Sequence, residues 1–169
     1  MKRNAVKLLS NKLIEYIPKK YENMDKDAED IYDRPLTYLV KRLSRDDRYE
    51  LIGKMREELG QDFKEEDLDN ADKIEEMVKK SRLSMTGDAY RFVFESCVAG
   101  FKNAIFISEE SGEEVKLDET KEKKYVRAMW NSDSDDTEMV DVVNHIIKVS
   151  LLNGEESKNS PSPQDSSKA

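Results

Sequence analysis

Apolar residues recur at spacings of three and four in some stretches and of two in others, and the two periods mark where helices and strands should form. The clearest helical run is Tyr90, Val93, Phe94, Cys97, Val98 and Phe101, which fills one wide face and predicts the central helix of the domain, started by Thr86 or Asp88 and ended near Gly100. Narrower stripes set in charge predict two more helices that each bury one side. The first is Leu51, Ile52, Met55 and Leu59 on Arg45–Leu59, and the second is Leu68, Ala71, Ile74, Met77 and Val78 on Lys64–Arg82. Ser44 offers a capping hydroxyl to Arg45–Leu59, Asp46 and Asp47 suit the positive end of its dipole, and Gly60 closes it. A short helix beginning at Asp118 presents Tyr125, Val126, Met129 and Trp130. The last helix carries Met139, Val142, Val143, Ile146 and Ile147, capped by Thr137 and ended at Asn153-Gly154.

The period of two is weaker. Val6, Leu9, Leu13 and Ile17 keep a helical spacing, while Leu13 to Ile17 ahead of Pro18 also reads as extended chain, so a helix followed by a short strand is expected. Leu36 to Leu43 is rich in aromatic and branched residues, a strand with Leu36, Tyr38 and Val40 on one face that can pair antiparallel with Glu15 to Ile17. Ala104 to Ile107 and Glu114 to Leu117 form a hairpin around Glu109-Glu110-Ser111-Gly112, since a glycine there permits a positive φ. Residues 19–34 are polar and read as a mobile loop. The fold class expected is α+β, mainly α: a helical bundle with a small antiparallel accessory sheet or hairpin. Residues 1–152 make a single domain, and 153–169 make a polar tail with too little apolar surface to offset its ordering entropy of ~1–2 kcal/mol per residue.

A chain of 169 residues is long enough for one such core. Charged residues reach 39% against 37% hydrophobic, but the hydrophobic ones are clustered, so the chain should fold. A net charge of −8 and a pI near 4.9 argue against a nucleic-acid partner, which needs a surplus of Lys and Arg. The first twenty residues reverse the sign, with Lys2, Arg3, Lys7, Lys12, Lys19 and Lys20 against Glu15. They read as a solvated flank or as a docking arm for an acidic partner. Cys97 is the one cysteine, which excludes an intrachain disulfide or a cysteine zinc site and fits a reducing compartment. No apolar run approaches the ~18 residues of a membrane span, and none makes a signal sequence, so a cytoplasmic protein is expected.

Candidate chemistry is sparse. His145 is the lone imidazole and falls beside the apolar stripe of its helix, as a boundary residue would. Cys97 sits inside an apolar stripe, where burial hides a thiol and raises its pKa. Asn131-Ser132-Asp133-Ser134-Asp135-Asp136 has the flavour of a calcium loop but puts Asp136 where glycine is required and Val142 where a bidentate glutamate is required. Glu57-Glu58, Glu65-Glu66 and Glu75-Glu76 are helical neighbours that diverge by ~100° and cannot share a substrate. No phosphate-binding glycine loop, nucleophile elbow or zinc-protease motif occurs in the sequence. We therefore assign no catalytic, cofactor-binding or metal residue and expect no cofactor. The chain is expected to act by binding protein, with Tyr38, Phe106, Tyr125, Met129 and Trp130 as candidate anchors, set against the plainer reading that these side chains complete a thin core.

Three blocks carry a resemblance. Tyr16-Ile17-Pro18-Lys19, a loop, then Leu36 to Leu43 and Ser44-Arg45-Asp46-Asp47-Arg48 form the first. Phe94 to Asn103 followed by Ser111-Gly112-Glu113-Glu114-Val115 is the second, and Val143 to Leu152 with the tail from Glu155 to Ser160 is the third. Their order is similar to that in small tail-assembly chaperone-like accessory proteins of tailed bacteriophages. That resemblance implies a non-enzymatic role in the host cytoplasm, binding phage tail structural proteins such as tube or tape-measure subunits during assembly. The charged helix Lys64–Arg82 and the acidic stretch Asn131–Asp136 depart from the pattern. Two other readings stay open: a small regulatory protein that inhibits a host enzyme, and a minor hydrolase or transferase worked by His145 or Cys97.

Overall fold

The computed structural model describes residues 12–59, 87–132 and 136–159. Strand β1 (Ile14–Tyr16) lies antiparallel to β2 (Thr37–Val40), with Ile14 opposite Val40 and Tyr16 opposite Tyr38. Helix α1 (Arg45–Leu59) follows, then α2 (Asp88–Cys97), β3 (Val98–Ile107), β4 (Glu114–Thr120), α3 (Lys123–Trp130) and α4 (Asp136–Asn159). The strands form one antiparallel sheet in the order β1-β2-β3-β4. The expected helical bundle with an accessory hairpin is thereby overturned: the sheet is a four-stranded layer, and the described helices pack with it.

The reason lies in the strongest sequence pattern. Tyr90, Val93, Phe94 and Cys97 are helical, but Val98 and Phe101 are already strand, because α2 passes into β3 with no intervening turn. The Lys41 N–H donates to the Cys97 carbonyl at 2.8 Å, and Val98 then pairs with Val40, so sheet pairing takes over where the helix stops. Register shifts between Leu39 and Val40, a bulge that lets Val98 and Phe101 both point into the core. A spacing of three therefore arises from two elements joined end to end, not from one longer helix.

Two residues fix how β3 meets β4. A Cβ on Gly100 would stand 2.0 Å from the Thr120 carbonyl oxygen, so this close approach requires glycine. Asn103 adopts φ 56° and breaks the alternation, so Phe101 is buried before it and Ala104 after it. Its side-chain amide donates to the Pro35 carbonyl at 3.1 Å, which ties this left-handed residue of β3 to the segment just ahead of β2. β2 pairs with β3 only as far as Lys102, so Ala104 to Ile107 and Glu114 to Leu117 project beyond it as a two-stranded ribbon.

Tyr38 and Phe101 meet edge to face at 5.2 Å, and Phe94 of α2 meets Tyr38 at 6.2 Å, joining sheet to helices. One cluster gathers these with Leu51 and Met55 of α1, Val126 and Met129 of α3, and Val142, Val143 and Ile146 of α4. Each such side chain contributes about 1.5–3 kcal/mol by leaving water. Helix α1 has the bounds its pattern predicts. The Ser44 hydroxyl accepts from Asp47 N–H at 3.0 Å, and the Asp47 carboxylate accepts from Ser44 N–H at 3.1 Å.

Other expectations shift. β4 extends through Thr120, so Asp118 lies in a strand and caps nothing, and Glu122 takes the N-cap position of α3. α4 begins before Thr137 and continues past Asn153-Gly154 to Asn159. One glycine costs a helix about 1 kcal/mol, which does not end it when Glu155, Glu156 and Lys158 follow. Between β1 and β2 the stretch expected as a mobile loop holds two 3-10 turns, Lys19–Tyr21 and Ile31–Asp33. The helix expected at Lys64–Arg82, the start of the chain, residues 133–135 of the Asn131–Asp136 stretch and residues 160–169 lie outside the described residues.

Candidate protein-binding surface

Polar side chains gather in two places, and one of them is structural. Glu138, in the first turns of α4, is only 3% exposed. One of its oxygens accepts from the Tyr38 hydroxyl at 2.5 Å, while the other accepts from the Tyr21 hydroxyl at 3.1 Å and pairs with the Lys20 ammonium. Burial first, then the Glu138 charge and hydrogen bond, push the Tyr38 hydroxyl far above the ordinary tyrosine pKa. Burial works against the Lys20 charge, but the Glu138 and Tyr21 oxygens outweigh it and raise its pKa. One turn further along, the Asp141 carboxylate accepts from the Lys19 N–H at 3.0 Å. The two acids thus fasten the first 3-10 turn to α4.

The same helix face accounts for the imidazole. His145 stacks on Tyr16 with ring centroids 3.8 Å apart and planes 11° from parallel. Burial lowers its pKa, Asp141 opposing and Lys148 assisting, while burial and the Asp141 carboxylate raise that of Tyr16. Its buried Nε2 has no hydrogen-bond partner. Cys97 is enclosed in the core, and burial pushes its thiol up to about 12, Asp47 adding and Lys41 opposing. At neutral pH that thiol is protonated and inaccessible.

The second place is the distal ribbon. Phe106 packs on Tyr125 of α3 with centroids 4.7 Å apart, and both remain half-buried at the edge of the core. Trp130 is also half-buried, its indole 5.3 Å from the Phe94 ring. Of the five candidate anchors, the structure brings Phe106 and Tyr125 together and sets Trp130 further along α3. Tyr38 is fully enclosed with its hydroxyl on Glu138, and Met129 is buried, so neither offers a surface contact.

The ribbon supplies two residues that sequence reasoning passed over. Ile107 is 63% exposed and Val115 is 40% exposed, among the most open large apolar side chains described. Val115 sits opposite Phe106 and shares its face of the sheet, whereas Ile107 sits opposite Glu114 on the other face. The signal that could have found them is Asn103, because its backbone decides which face each later residue takes. Beyond β4 the sheet has no further strand among the described residues. Ser108 N–H donates to the Glu113 carbonyl at 2.9 Å, and alternation from that bonded pair turns the N–H and C=O of Glu114 and Lys116 outward, away from β3.

Around the ribbon the charge is one-sided. Glu109, Glu110, Glu113, Glu114, Asp118 and Glu119 stand against Lys116 alone between Ser108 and Thr120. Tyr32, from the second 3-10 turn, lies 4.7 Å under the Lys116 ammonium, and Arg34 reaches Asp118 at 3.4 Å. Among the described residues no helix is long and apolar enough to cross a membrane. No family model matches the chain, nor does any curated protein or solved structure.

Proposed function

We propose that this chain works by binding another protein, through the distal end of β3 and β4, and that its clients are tail structural proteins of a bacteriophage. The observation that carries the binding reading is the conjunction on the ribbon: exposed Val115 on one face with half-buried Phe106 and Tyr125, exposed Ile107 on the other, and a strand edge that is unpaired among the described residues. Scattered exposed aliphatics are ordinary on protein surfaces. An open sheet edge alongside them is not, because natural sheets cover such edges or keep them short. The lone thiol and lone imidazole are both given over to packing, which favours a role for surface contacts over turnover. The tail-assembly part rests on the three sequence blocks and names the clients, tube and tape-measure subunits.

Modest apolar anchors ringed by charge suit a factor that must release its client, since charge speeds the encounter while limited apolar burial keeps affinity moderate. The experiment is co-expression with tube and tape-measure proteins of tailed bacteriophages, followed by purification on a tag. A stoichiometric complex is expected, lost in the Ile107→Asp, Val115→Asp double variant. Failure to retain any tail protein overturns the tail-assembly reading, and a complex indifferent to the double variant moves the binding site off the ribbon.

A further inference from the structure

We infer that the partner docks as an added strand: an extended segment of alternating basic and aliphatic residues that pairs with the outer edge of β4. This deepens the binding reading above and rests on it. The edge supplies the affinity, because the outward N–H and C=O groups of Glu114 and Lys116 match the ladder an incoming strand presents. The faces supply the selectivity. On the face shared with Phe106, Val115 and Leu117 would flank every second residue of the newcomer, and these should be aliphatic. On the opposite face, Glu114 and the 88% exposed Asp118 side chain flank Lys116, and the residues between should be Lys or Arg.

Charge chooses the occupant. Glu109, Glu110 and Glu113 at the turn form no salt bridge among the described residues, so their field is available to a cation. The neighbouring bases are in part committed: Lys121, ahead of α3, pairs with Glu119 at 3.6 Å, and Lys124 of α3 with Glu122 at 3.2 Å. A second copy of β4 would bring its own excess of acid against this one, and such like-charge contact is how edges are kept from self-association. A basic strand meets the same charges as attraction.

The test uses a synthetic eight-residue peptide of alternating lysine and valine with blocked ends, titrated into the full chain and followed by backbone amide shifts. Saturable binding is expected at low salt, with perturbed amides concentrated in β4, weakening at least tenfold in half-molar salt. Lys116→Pro removes an outward N–H that β3 does not use, so the fold should survive while binding falls at least tenfold. Lys116→Thr removes the same ammonium and keeps the N–H, so it should bind like the parent. Equal binding by the two variants overturns strand addition, as does equal binding of an alternating glutamate–valine peptide. Should Lys116→Pro unfold, hydrogen exchange in the parent decides: the peptide must slow exchange at Glu114 and Lys116, and unchanged rates overturn the inference. A tail client retained by a chain that ignores the peptide would leave the binding function standing and this docking mode refuted.

Discussion

Removing the Glu138 carboxylate should cost far more than its surface-like composition suggests, because two tyrosines and a lysine converge on it inside the fold. The magnitude can be built from its partners. The Tyr38 hydroxyl makes a short bond to a charged acceptor, worth about 1.5–3 kcal/mol when both ends are shielded from water. Lys20 adds little, under about 1 kcal/mol, since its side chain is 39% exposed and screened. In Glu138→Leu the Tyr38 hydroxyl loses its carboxylate partner in a fully buried site, a penalty of about 1–3 kcal/mol on its own. Together these predict a loss of about 3–5 kcal/mol for Glu138→Leu. Tyr38→Phe keeps the ring against Phe94 and Phe101 and leaves the carboxylate with Tyr21 and Lys20, so about 1.5–3 kcal/mol is expected there.

Urea unfolding followed by circular dichroism and by Trp130, the one tryptophan, measures both losses. The pair should also couple. In the double variant the Tyr38 hydroxyl is no longer there to be stranded, and the loss of the Tyr21 and Lys20 contacts is common to it and to Glu138→Leu, so its loss should fall short of the sum of the singles by more than about 1 kcal/mol. Additive losses, or a Glu138→Leu variant within about 0.5 kcal/mol of the parent, would refute the convergence as a source of stability.

Two glycines should respond with opposite sign. Gly100→Ala drives a methyl into the Thr120 carbonyl and should cost more than about 2 kcal/mol, while Gly53→Ala, in α1 with nothing near its Cβ, should gain about 0.5–1 kcal/mol, both read from urea midpoints. His145 has a folded pKa below its ordinary value, so the unfolded chain takes up the proton first. Stability should therefore fall as pH drops below about 6.5. His145→Phe lacks that proton, so its urea midpoint should decline less between pH 7.5 and 5, and parallel declines would count against a buried neutral imidazole. Cys97 should resist alkylation by iodoacetamide at pH 8 until urea opens the core, and rapid labelling of the folded chain would contradict its enclosure.

Local signals in the sequence reached local structure. The Ser44 and Asp47 cap, the apolar stripe of α1, the pairing of the segment near Tyr16 with Tyr38 and the glycine turn at Gly112, with φ 68°, follow from residue types at fixed offsets. The architecture did not follow, because periodicity records burial and not the element that achieves it. Val98 and Phe101 are buried through a bulge in the sheet, yet they continue the helical spacing of Tyr90 to Cys97. Tyr38 looked like a surface anchor because aromatic residues in thin cores and at interfaces are alike in sequence. Its partner Glu138 lies one hundred residues away, a distance no local pattern spans.

Fold and surface can be separated along the strands. Tyr38 stands opposite Phe101, and Ile107 lies six residues further along β3, about 20 Å at the ~3.4 Å rise of an antiparallel strand. Changes more than about 7–10 Å apart that share no partner act independently on stability. The clasp around Glu138 fastens the first 3-10 turn to α4, while the ribbon contributes Phe106 to the core and turns Ile107 and Val115 outward. Polar substitutions at Ile107 and Val115 should therefore leave the urea midpoint within about 0.5 kcal/mol of the parent while removing the client. A chain that lost stability and client together would place the binding surface inside the folding unit, and the ribbon would then be a structural strand pair with no separate task.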